Sequence, residues 1–319
     1  MSAETTWQLL TYIERGVNKM KRIIIDTDIG DDIDDSLAIA LASVSPEIHI
    51  AGITTVFKNV RRRAELANKL LGCYGIRNTP VLEGCMSPIA SCIEHGETPV
   101  LWAAGDDEGY NKEESHAVDF ILENLEKHPE TIILAIGPMT NLAAAVQKNP
   151  GVMKNATVYA MGGAFDSAFA EWNIVCDPEA AAIVLSNILN IRLFGIELTS
   201  KVWLEDKDLQ EIQESLAPGA KLITRMISSW RSKRGFESYL HDVFPLCGII
   251  YPELFTFTAK KITVELHGTI TRGTTVAGAD YFRNSKDIPN AGIAEMKNPL
   301  IIKQIFMNRV IRDYQGGNS

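Results

Sequence analysis

The 319-residue chain is 46% hydrophobic and carries 40 acidic against 31 basic side chains, a formal charge of −9. That balance supplies no cationic footprint for nucleic acid or for an anionic membrane surface, so neither is expected as a partner. No uncharged apolar run reaches the roughly 18 residues of a membrane span, and Glu4 and Glu14 interrupt the stretch where a secretory leader would be apolar, which points to a cytoplasmic protein.

Trp7, Leu10, Ile13, Val17 and Met20 recur at helical spacing and predict an amphipathic helical extension over residues 1–20, ahead of a single domain over 21–319. From Lys21 onward short apolar runs alternate with longer helical patterns. Strands are expected at Ile23–Ile25, Ile48–Thr54, Thr131–Ile136, Thr157–Met161, Ile191–Leu198 and Ile262–Leu266. Between and after them, helices are expected at Asp35–Ser43, Val60–Leu71, Ser115–Lys127, Met139–Gln147, Pro178–Leu185 and Leu204–Glu214. Such alternation implies right-handed crossovers and an α/β fold, an open, mostly parallel sheet with helices on both faces. Cys73, Cys85, Cys92, Cys176 and Cys247 are scattered and form no CxxC pair, so they read as reduced thiols and not as a disulfide framework or zinc site.

Ligands of such sheets sit beyond the carboxyl ends of the strands, so the polar residues that follow each apolar run are where chemistry is expected. The first run ends in Asp26-Thr-Asp28-Ile-Gly30-Asp31-Asp32-Ile-Asp34-Asp35, six carboxylates in ten residues. Two aspartates would be explained by a helix N-terminus. Six crowd like charge until a cation neutralises it, and hard oxygen ligands on an irregular loop select calcium or magnesium over zinc. Asn59, after the second strand, is an amide at the site or only a helix cap. The turn Ile136-Gly137-Pro138 exposes the Ile136 carbonyl, a potential metal ligand whatever its side chain. Gly162 and Gly163 let backbone approach a ligand closely, and Glu171 with Asn173 suits adjacent hydroxyls. His241-Asp242 puts a titratable group beside another hard ligand.

In order and distance, the segments DTDIGDDIDD, GITTVFKN, AIGPMTNLA, MGG followed by AEWNIVCDPEAA, and HDVFPLCGIIYPELF resemble the inosine-uridine nucleoside hydrolase family from about Lys21 to Thr275. The resemblance implies an open α/β sheet of Rossmann-like topology, hydrolysis of the N-glycosidic bond of ribonucleosides, one calcium ion and a homodimer or homotetramer. It further implies that Asp28, Asp35, Asp242 and the Ile136 carbonyl hold calcium, and that Asp34 binds ribose hydroxyls. Asn59 matches a ligand-contacting amide, Glu171 and Asn173 the ribose-binding pair, and His241 the group that protonates the departing base. Asp28 would also take the proton of the attacking water, and Asp26 would order the loop from behind.

The chain departs from the family's Asp-x-Asp-Pro-Gly-x-Asp-Asp opening, with Ile29 in place of proline and two extra residues before Asp34-Asp35. Alignment on Ser36-Leu-Ala-Ile assigns the site to Asp34 and Asp35, whereas a direct count from Asp26 puts Asp32 in the ribose role. Lys58 stands where glycine is common, bringing a cation near the pocket. The stretch between Gly163 and Glu171 is short and lacks the family's asparagine, leaving Phe165, Asp166 or Phe169 at the 5′ side of the sugar. Trp102, Trp172, Trp203 and Trp230 are core residues or a wall against the base, and His95 and His116 read as surface or packing residues. Two other readings stand beside this one: a calcium-binding homologue without turnover, and a haloacid-dehalogenase-like phosphatase suggested by Asp26-Thr-Asp28, whose motif wants a different sequel from Ile29-Gly30.

Overall fold

The computed structural model describes residues 20–90, 117–235, 237–278 and 288–312. The predicted extension over residues 1–20 lies outside the described residues but for Met20, and Cys92, His95, Trp102 and His116 lie outside them entirely.

Eight strands form the main sheet in the order β3-β2-β1-β4-β5-β6-β12-β9. They are β1 (Lys21–Thr27), β2 (Ile48–Thr55), β3 (Val81–Glu83), β4 (Ile132–Ala135), β5 (Thr157–Met161), β6 (Asn190–Phe194), β9 (Thr256–Lys260) and β12 (Ala291–Glu295). All neighbours pair in parallel except the edge pair β9 and β12. Two antiparallel ribbons complete the strands, β7 (Trp203–Leu204) with β8 (Ser238–Tyr239) and β10 (Ile262–Val264) with β11 (Thr275–Ala277). The expected mostly parallel α/β sheet is therefore present, and the chain reverses its direction of travel across the sheet between β1 and β4, as in Rossmann-like topology.

The strands read as unbroken apolar runs because both faces are covered. Ile23 and Ile25 pack into one core cluster with Leu37, Leu70, Phe244 and Ile302, while Ile24 between them packs into a second with Ile121, Leu142 and Val184. The first cluster takes residues from helices α1 (Asp34–Val44), α2 (Val60–Cys73), α8 (Ala220–Arg234), α9 (Val243–Ile250) and α10 (Leu300–Phe306). The second takes residues from α3 (Ala117–Lys127), α4 (Thr140–Lys148) and α6 (Pro178–Asn187). Among the described residues the other helices longer than one turn are α5 (Trp172–Cys176), α7 (Asp206–Glu214) and a π-helical segment at Met307–Arg312 that continues α10.

Two strand expectations are corrected. The run expected at Ile191–Leu198 ends at Phe194, because Gly195 caps a helical turn at Ile196–Thr199. Ile262–Leu266 contributes only Ile262–Val264, and that strand lies in a ribbon outside the main sheet. Edge strand β9 escaped sequence reading because four of its five residues are exposed, which leaves no apolar run to see.

Candidate active site

The parallel registers bring the strand ends to one level. Asp26 of β1 pairs with Thr54 of β2 and Ala135 of β4, so the residues following all three strands meet at the point where the sheet order reverses. Asp26 itself is fully buried and accepts hydrogen bonds from Thr54 Oγ1 (2.5 Å) and Asn141 Nδ2 (2.7 Å). Burial raises its pKa to about 7. Its side chain ties the end of β1 to β2 and to the start of α4.

The loop after β1 turns through Gly30, whose φ of 103° suits glycine, and enters α1 at Asp34. Asp34 and Asp35 begin that helix and are buried, so the helix start fixes them in the position that alignment on Ser36-Leu-Ala-Ile assigned. The backbone amides of Asp34, Asp35 and Asp242 lie near the Asp34 carboxylate and favour its charged form, so the loop meets the segment that opens α9. Carboxylate oxygens of Asp34, Asp35 and Asp242 all lie within 4.8 Å of one another. Asp28 is outside that triplet but buried beside it, close enough for Asp35 and Asp34 to repel its charge, and its Oδ2 is buried without a hydrogen-bond partner. Burial raises the pKa of Asp28, Asp34, Asp35 and Asp242, and mutual repulsion raises them further. Asp32, the alternative ribose residue, spends one oxygen on the Ile33 N–H at 2.5 Å and is raised by burial to about 7.

The Ile136-Gly137 turn presses against this cluster. A Cβ on Gly137 would stand 2.7 Å from Asp28 N and 3.0 Å from Asp28 Oδ1, so only glycine lets the turn approach. From the opposite side Asn173 Nδ2 reaches the Ile136 carbonyl at 3.4 Å and that of Met161 at 3.2 Å. Glu171 caps α5, accepting from Asn173 N and Ile174 N, and also accepts from Gly163 N at 3.1 Å. Three backbone donors and burial hold this carboxylate still at the mouth of the β5 turn.

His241 hydrogen-bonds through Nδ1 to Thr199 Oγ1 at 2.8 Å and stacks on Tyr239, ring centroids 5.0 Å apart. Tyr239 in turn meets Trp203 edge-on at 6.0 Å. Burial lowers the His241 pKa to about 4, so the ring is neutral near pH 7. Of the tryptophans considered for a wall, Trp230 belongs to the core, while Trp172 and Trp203 are exposed. Phe165 lies against Gly163 and Gly195, and Asp166 and Phe169 are exposed.

Asn59 serves as the exposed N-cap of α2, accepting from Arg62 N at 3.3 Å, the plainer of its two readings. Sequence reading missed Arg63, four residues on. Its guanidinium is fully buried and donates to the carbonyls of Phe57 (2.8 Å), Asp28 and Ile29 (3.1 Å) and to Asp31 Oδ1 (2.9 Å). One signal could have found it: Arg63 falls on the stripe of Val60, Ala64, Ala67 and Leu70, where a charge needs a buried partner.

The ligand atoms gathered here are all oxygens, the carboxylates crowd like charge, and the Oδ2 atoms of Asp26, Asp28 and Asp31 are buried without a hydrogen-bond partner. They fit a hard divalent cation, with Asp34, Asp35 and Asp242 as the nearest group and Asp28 and the Ile136 carbonyl at its border. An open α/β sheet with such a carboxylate cluster at its switch point, near amide, carboxylate and imidazole groups, is the architecture of a binding site for a small polar ligand.

The family profile described as inosine-uridine preferring nucleoside hydrolase matches residues 23–299. The chain is 36% identical over 272 residues to uridine nucleosidase 1 of Arabidopsis thaliana, covering 79% of this chain and 80% of the relative. It is 32% identical over 289 residues to the inosine-uridine preferring nucleoside hydrolase of Crithidia fasciculata, covering 83% and 89%. Among solved structures, a plant nucleoside hydrolase superposes with TM-score 0.80 at 26% identity over 91% of this chain and 98% of its own. A purine-preferring ribonucleoside hydrolase from Gardnerella vaginalis superposes with TM-score 0.76, also at 26% identity, over the same shares of each chain. The chain thus belongs to the inosine-uridine preferring nucleoside hydrolase family and is a hydrolase of N-glycosyl bonds. The phosphatase reading of Asp26-Thr-Asp28 falls with that assignment. No helix among the described residues is long and apolar enough to cross a membrane.

Proposed function

We propose that the chain hydrolyses the N-glycosidic bond of ribonucleosides or a related ribosyl compound in a calcium-dependent reaction, releasing the base and the free sugar. The observation that carries this reading is the gathering of Asp34, Asp35 and Asp242 beside Asp28 and the Ile136 turn at the sheet's switch point.

Asp28, Asp35, Asp242 and the Ile136 carbonyl would hold the ion, leaving Asp34 to share it or to accept from ribose hydroxyls. Bound there, calcium would acidify water. Asp28 takes the proton of the water that attacks the anomeric carbon. Sugar carbon and ring oxygen gain positive charge as the bond to the base breaks, and the surrounding carboxylates favour that charge over the neutral ground state. Glu171 and Asn173 orient the sugar. Asn59 faces the ligand only by giving up its cap.

His241 serves the departing base. With Nδ1 held by Thr199 Oγ1, Nε2 is the ring nitrogen left to meet the base as a hydrogen-bonding partner, and Tyr239 stacks on the ring. A cytoplasmic homodimer or homotetramer completes the proposal, checked by fractionation and by light scattering.

The test incubates purified protein with inosine, uridine, adenosine and cytidine, with calcium and with chelator, and measures reducing sugar and free base. Calcium-dependent release from any of them is expected. Equal release in chelator removes the metal from the reaction, and no release with calcium bound leaves a binding protein on this fold.

A further inference from the structure

Lys58 combines two features that are unfavourable alone with one weak compensating contact. Phe57 and Lys58 are consecutive non-glycine residues at φ of 68° and 57°, in the left-handed region that side chains avoid. The Lys58 Nζ is buried, and among the described residues no hydrogen-bond acceptor meets it. It rests instead near the Phe57 ring, 5.0 Å from the centroid.

The surrounding contacts fix this conformation. Val56 N donates to Thr27 O (3.0 Å), Phe57 N to Cys85 O (2.8 Å) and Lys58 N to Met86 O (2.6 Å), while the Phe57 carbonyl accepts from Arg63, which also holds Asp28 and Ile29. The same contacts put Lys58 at the rim of the site. Val56 packs against the Gly137 turn next to Asp28, and Val56 and Phe57 cluster with Cys176 at the end of α5, the helix that begins with Glu171 and carries Asn173. Backbone held in a sparsely populated region is a mark of ligand clamps, and a buried cation is stable only when something anionic meets it.

We infer that Lys58 recognises an anionic oxygen group carried by the ribosyl substrate, either a phosphate on the sugar or a carboxylate on the base. The inference rests on the proposed N-ribosyl hydrolysis and names its substrate class. The anionic group itself is untouched: the bond from sugar carbon to base nitrogen breaks, water supplies the new hydroxyl and, in net, the base's proton. The aspartates repel a free anion from the cluster, so the group must be placed by the rest of the substrate, with Lys58 as a cationic partner.

The experiment compares uridine, uridine 5′-monophosphate and 6-carboxyuridine as substrates for the calcium-loaded wild type and for Lys58→Met, Lys58→Arg and Lys58→Gly. Glycine suits the backbone at this position, so Lys58→Gly keeps a folded variant in the set, checked by thermal melting. One anionic substrate is expected to exceed uridine in kcat/KM by about tenfold or more, the preferred one reporting where the anion sits. That preference disappears in Lys58→Met and Lys58→Gly and persists in Lys58→Arg, chiefly through KM. Uridine turnover equal to or above both anionic compounds, or a preference that survives Lys58→Met, overturns the inference and leaves the proposed reaction standing. If none of the three is hydrolysed, the proposed reaction fails separately, and calorimetry with ribose 5-phosphate and with orotate decides the inference. Binding that Lys58→Met weakens supports it, and binding that is absent or indifferent to Lys58 overturns it.

Discussion

Arg63 of α2 and Asp31 of the β1–α1 loop form an ion pair at 2.9 Å in which the guanidinium is wholly buried and the carboxylate nearly so. Asp31 is one of the residues by which this loop exceeds the family pattern, so the longer loop has acquired its own anchor. Because the same guanidinium holds the carbonyls of Asp28 and Ile29, Arg63→Met leaves a buried carboxylate and three acceptors without their donor. A loss of about 3–5 kcal/mol is expected, read from urea unfolding, with a weaker calcium affinity by calorimetry. Wild-type stability in the variant would show that the anchor is dispensable.

Asn141 is the neutral counterpart of that anchor. It donates to Asp26 and to Thr55 O (3.1 Å) and accepts from Cys85 N (2.7 Å), all within buried structure. Asn141→Ala strands three groups, each costing about 1–3 kcal/mol when left unpaired. The variant should be the least stable of the single-amide substitutions, below Asn59→Ala, whose exposed cap contributes about 1 kcal/mol.

Acid should act on the metal-free and calcium-loaded proteins in opposite directions. Burial raises Asp26 and Asp32 to about 7, and burial followed by mutual repulsion raises Asp28, Asp34, Asp35 and Asp242 as well. Between the ordinary carboxylate range near 4 and pH 7 the folded metal-free protein therefore binds more protons than the unfolded chain, and its stability rises as pH falls through that window. His241, lowered to about 4, works the other way as a single group. Calcium favours the ionised carboxylates, so the loaded protein loses stability over the same window. Melting curves from pH 7 to 5, with calcium and with chelator, should cross or converge; parallel curves would refute the shared metal site.

Removal of the imidazole separates chemistry from metal binding. His241→Ala is expected to lower kcat by about 10²- to 10⁴-fold while calorimetric calcium affinity stays within a few-fold of wild type. Since the ring is neutral near pH 7, the wild-type kcat profile should carry no inflection near 6.5. Thr199→Val removes the hydroxyl partner of Nδ1 that orients the ring and should lower kcat more than it raises KM.

Glu171 accepts backbone donors on both carboxylate oxygens, so Glu171→Gln turns an NH2 toward at least one of them and should melt below wild type by about 1–3 kcal/mol. A further cost falls on the sugar: KM for a ribonucleoside should rise about tenfold or more, whereas an unchanged KM would leave Glu171 a cap and nothing else.

Much of this was written in local sequence. Apolar runs such as Ile23–Ile25 are unbroken because helices cover both faces of a parallel sheet, and that pattern alone determined the fold class. The acidic loop raised the expectation of a cation site, and the apolar run that follows Asp35 in α1 set which of its aspartates enter the buried cluster, since the phase of a helix is fixed by its buried stripe. Tertiary structure decided what depends on proximity between distant segments. It brought Asp242 to Asp34 across two hundred residues, gave the Ile136 carbonyl its neighbours, spent Asn59 as a cap and buried Arg63 on the Asp28 carbonyl. Side-chain period reports which face of an element is buried but not what lies opposite it, and the partners that tune these carboxylates come from elements that no local pattern connects.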